Sequence, residues 1–63
     1  MDKALDYLMQ VHRERILALT EALARGGCTS YEEYRFTCGQ IRGLEAACST
    51  INDLKTRLET TDD

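Results

Sequence analysis

The sequence predicts an all-α fold: an antiparallel two-helix hairpin, completed by oligomerisation or by docking on a larger protein. Three observations predict it. The 63 residues include no proline, and 30% of them are charged, a composition that suits helices. Apolar residues recur at spacings of three and four on both sides of Gly26-Gly27. The interruption between the two periodic stretches is about five residues long, and so short a link makes the helices antiparallel neighbours. One domain therefore spans 1–63, with a helix over about 2–25, a turn at 26–30, a second helix over about 31–58 and a frayed acidic tail at 59–63.

The first helix carries Leu5, Leu8, Met9, His12, Ile16, Leu19 and Leu23 on one stripe, with Ala22 beside them. Asp2, Asp6, Arg13, Glu14, Thr20 and Glu21 occupy much of the opposite side. Asp2 can cap the start, where a carboxylate also suits the helix dipole. Gly26-Gly27 ends the helix, because glycine adopts the left-handed C′ conformation without steric cost.

Ser30-Tyr31-Glu32-Glu33 restarts the chain as a capping box, serine and glutamate each meeting an orphan backbone donor. The second helix has a main stripe of Tyr34, Cys38, Ile41, Leu44, Cys48, Ile51, Lys55 and Leu58, close to a 3-4 repeat. Folding one helix on the other sets Leu23 near Tyr34, Ile16 near Ile41, His12 near Leu44, Leu8 near Cys48 and Leu5 near Ile51. Two stripes of this width have no second layer to close their core, so a partner is expected.

The second helix also carries Gly39-Gln40-Ile41-Arg42-Gly43, with Ala47 four residues on. Each helical glycine costs roughly 1 kcal/mol relative to alanine, a penalty that points to a close backbone approach. At about 100° per residue, Gly39, Gly43, Ala46, Ala47 and Thr50 fall roughly 120–180° from Ile41, with Phe36 and Leu54 at either end. These seven residues form the expected protein-interaction face, a soluble counterpart of small-xxx-small helix packing.

Bulk properties narrow the function classes. Eight basic against eleven acidic residues give a net charge of −3, which argues against nucleic acid as a partner. Cys28, Cys38 and Cys48 cannot all pair within one chain. On a helix Cys38 and Cys48 stand about 15 Å apart, beyond bridging distance. Free thiols fit a reducing compartment. The opening Met1-Asp2-Lys3-Ala4 lacks a basic, then apolar, leader, and no stretch reaches about 18 apolar residues, so neither secretion nor a membrane partner is expected.

No chemistry-bearing constellation stands out. His12 lies in the apolar stripe with Cys48 across the hairpin, but a structural zinc site needs four ligands. The cysteines read as small apolar residues, with Cys28 in the turn the one expected to be reactive toward solvent. No thiol has a histidine and an orienting group at catalytic spacing. Arg13 and Arg15 could meet phosphate, but Glu14 offsets their charge. Tyr31, Tyr34 and Phe36 form an aromatic cluster that either closes the turn end or anchors a protein. The expectation is a non-enzyme with no catalytic residue, metal or cofactor.

The stretches Ser30-Tyr31-Glu32-Glu33-Tyr34, Cys38-Gly39-Gln40-Ile41-Arg42-Gly43-Leu44-Glu45 and Asn52-Asp53-Leu54 resemble those of small helical-hairpin proteins encoded by tailed bacteriophages, found among virion structure and assembly genes. That resemblance implies a virion or morphogenesis component, in the virion or the host cytoplasm, whose partner is itself or a larger phage structural protein. Two alternatives stand beside it. Plasmid copy-number proteins of the Rop type are similar in length and shape; in that reading Arg13, Arg15, Arg35 and Arg42 contact RNA phosphates. A small phage inhibitor of a host protein would use the acidic end or the aromatic turn.

Overall fold

A computed structural model of the chain describes residues 2–60. It contains two helices, α1 over Lys3–Ala24 and α2 over Tyr31–Thr60, packed side by side as an antiparallel hairpin. The all-α hairpin that the periodicity predicts is the observed architecture.

Each helix end has a local cause. The Asp2 carboxylate accepts the Ala4 and Leu5 N–H groups at 3.0 and 3.3 Å, satisfying two orphan donors of α1. At the other end Arg25 is the cap, and the chain closes as a Schellman motif. Gly27 N–H donates to the Ala22 carbonyl at 2.8 Å, and Gly26 N–H donates to the Leu23 carbonyl at 3.0 Å. The two glycines serve different needs. Gly26 takes a φ of +75°, whereas a Cβ on Gly27 would come within 2.9 Å of the Ala22 carbonyl oxygen.

The expected capping box forms with one change of partner. The Glu33 N–H donates to Ser30 Oγ at 3.1 Å. The Glu33 carboxylate, however, accepts the backbone N–H of Thr29 at 2.9 Å and the Thr29 hydroxyl at 3.0 Å, one residue before the expected Ser30 N–H. Backbone bonding holds the Glu33 carboxyl below its ordinary value near 4.5. The second helix also runs two residues further than expected, since Glu59 and Thr60 are helical; residues 61–63 of the expected tail lie outside the described residues.

The seam between the helices is thin. Among the described residues only Met9 is buried, at 7% exposed. Leu5, His12, Ile16, Leu19 and Leu23 of α1 are half-buried, as are Cys38, Ile41, Leu44, Cys48 and Ile51 of α2. Leu8, expected in the stripe, is 42% exposed: Met9, one residue on and about 100° round the helix, takes the central place. His12 and Leu44 border one groove, which bears out their expected register. An ion pair from Lys55 to Asp6 ties the open end together.

Candidate interaction surface

The antiparallel pairing gives the hairpin two flanks. On one, Val11, His12 and Arg15 of α1 border a shallow groove with Gln40, Gly43 and Leu44 of α2. At about 100° per residue, Leu8 of α1 and Phe36, Ala47 and Leu54 of α2 turn to the same flank. Phe36 is 68% exposed, Leu54 44% and Val11 39%. The other flank carries more charge. Met9 and Leu17 share a depression along α1 with Asp6, Gln10, Arg13, Glu14 and Lys55, and Tyr31, Tyr34, Arg35 and Arg42 border another on α2.

The seven expected interaction residues divide between these surroundings. Phe36, Gly43, Ala47 and Leu54 belong to the apolar flank. Ala47 is half-buried at the edge of the seam, while Gly43 is exposed. Gly39 instead borders the depression of Tyr31, Tyr34, Arg35 and Arg42. Ala46 and Thr50 lie on the outer surface between them, and the Thr50 hydroxyl donates to the Ala46 carbonyl at 3.1 Å. A Cβ at either Gly39 or Gly43 would meet nothing within 4 Å. The hairpin itself therefore does not require glycine at these two positions.

The remaining singled-out groups are engaged locally. The His12 imidazole donates from Nδ1 to the Leu8 carbonyl at 2.8 Å, the carbonyl being able only to accept. Cys28 is half-buried, as are Cys38 and Cys48, and its Sγ lies 3.7 Å from Thr37 Oγ1. No group of three His, Cys, Asp or Glu residues able to hold a metal is found among the described residues. None of their helices is long and apolar enough to cross a membrane.

The aromatic cluster loses one member. Tyr31 and Tyr34 stack with centroids 6.3 Å apart, and the Arg35 guanidinium lies 6.0 Å from the Tyr31 ring centre. A hydrogen bond with the Cys38 thiol raises the Tyr34 hydroxyl above its ordinary value. Phe36, two residues beyond Tyr34, sits on the opposite side of the helix and joins the apolar flank. Helical phase distinguishes the two positions, whereas closeness in sequence does not. Comparison with protein-family models, curated proteins and solved structures finds no match to this chain.

Proposed function

We propose that this chain is a non-enzymatic structural protein, a virion or morphogenesis component of a tailed bacteriophage that works by docking its apolar flank on another protein surface. The observation that carries the reading is the contrast between a nearly coreless seam and a well-formed apolar flank. Only Met9 is buried among the described residues, while Leu8, Val11, Phe36 and Leu54 stay 39–68% exposed. Covering that flank supplies the second layer that a two-helix hairpin lacks. The sequence resemblance over 30–34, 38–45 and 52–54 supports the phage setting.

Gly43→Leu tests the reading. A Cβ at position 43 meets nothing within 4 Å in the hairpin, and leucine is a good helix former, so helix content by circular dichroism should hold. The assembly that the chain enters, of its own copies or of a larger particle, should be lost in co-sedimentation. Assembly that survives the substitution contradicts the proposal.

A further inference from the structure

The apolar flank has a symmetry that bears on its occupant. Along α2, Phe36 and Leu54 stand nine residues either side of Glu45, and Gly43 and Ala47 stand two either side. Two copies of α2 laid antiparallel about the level of Glu45 set Phe36 against the partner copy's Leu54 and Gly43 against its Ala47. Large side chains then meet at the ends and small ones at the crossing.

Val11 and His12 border the groove with Gly43 and Leu44, so a twofold axis at that crossing meets α1 close to Val11. Area is sufficient as well. The hairpin measures 52 × 15 × 13 Å, and its 52 by 15 Å side projects about 780 Å², close to the roughly 800 Å² per partner of a standard stable interface. Helix length favours this orientation over one with both turns at the same end. With 30 residues against 22, α2 projects past the start of α1. Only α2 against α2 covers that projection.

We propose that the occupant of the apolar flank is a second copy of the chain, laid antiparallel as a twofold four-helix bundle with the two turns at opposite ends. This rests on the reading of the flank as a docking surface and names what docks there. The test combines sedimentation with directed crosslinking, in the full chain carrying Cys28→Ser, Cys38→Ala and Cys48→Ala. Wild-type chain should sediment as a dimer. An equimolar mixture of Phe36→Cys and Leu54→Cys chains should form a disulfide between copies, while either variant alone should form at least about tenfold less. If the cysteine replacements unfold the hairpin, the same comparison is made between chains carrying a photo-crosslinking residue at position 36, with the partner site mapped by mass spectrometry to 53–55. A monomer overturns the proposal, and so does a crosslink from position 36 to position 36. A monomer that still enters a larger particle through Gly43 would leave the docking function standing and remove only the self-pairing.

Discussion

From one flank the hairpin presents Leu8, Val11 and Arg15 beside Gln40, Gly43, Ala47 and Leu54; from the other it presents Asp6, Arg13, Glu14 and Leu17 beside Tyr31, Tyr34, Arg35 and Arg42. Both flanks are cut from the same two helices and share one seam. What separates them is the cost of removing water. Covering the first transfers apolar surface out of water, a gain of about 25 cal/mol per Å². Covering the second strips hydration from charged groups, which is recovered only where each meets a well-placed partner. A weakly cored hairpin with one such flank has a built-in direction of association.

The largest effect should come from moving charge between flanks. Leu54→Glu should weaken assembly by at least about a hundredfold, as expected for a charge placed in a desolvated contact. Leu17→Glu, at a leucine that is 58% exposed and lines the depression along α1 with Asp6, Arg13 and Glu14, should change it by less than about threefold. Analytical ultracentrifugation of the two variants compares them directly. Equal effects would mean that the flanks do not differ as contact surfaces.

The turn gives the next largest effect. Gly27→Ala drives a methyl towards the Ala22 carbonyl oxygen, 2.9 Å from the ideal Cβ position, and should destabilise the hairpin by about 1–3 kcal/mol in chemical denaturation. That loss is independent of the flanks, so it separates hairpin stability from docking.

Acid should produce the smallest effect, confined to the start of α2. The folded Glu33 carboxyl titrates below its ordinary value near 4.5 because Thr29 donates to it. Its contribution is therefore present above that ordinary value and is lost as pH falls through the lower folded value. Protection of the Thr29 amide against exchange, relative to its unstructured rate at the same pH, should fall over that acid range, and Glu33→Gln should remove this pH dependence.

Much of the architecture is legible in the residues themselves. The Asp2 cap, the glycine stop at Gly26 and the Ser30 cap each follow from one side chain and one backbone donor or dihedral. The 3-4 periodicity fixes which faces meet. Less legible is anything that depends on the sign of an angle. Gly39 and Gly43 lie about 160° from Ile41 in opposite senses, and so only about 40° apart; only the placement of α1 shows that Gly43 borders a groove with Val11 while Gly39 borders the tyrosine–arginine depression. Leu8 and Met9 likewise share a stripe on paper, yet a narrow seam seats only one of them centrally. The Cys28 contact with Thr37 depends on how the turn folds back, which no local pattern encodes.

Gly43→Ala tests the central claim most directly, because the two possibilities differ in sign. A Cβ at this position meets nothing within 4 Å in the hairpin, so on an open surface alanine should stabilise the helix by about 1 kcal/mol and raise the melting midpoint by about 4–8 °C. If Gly43 lies at the crossing of two packed helices, the added methyl forces them apart. The account predicts a lower midpoint, with a weaker dependence on protein concentration. A higher midpoint at every concentration would contradict it.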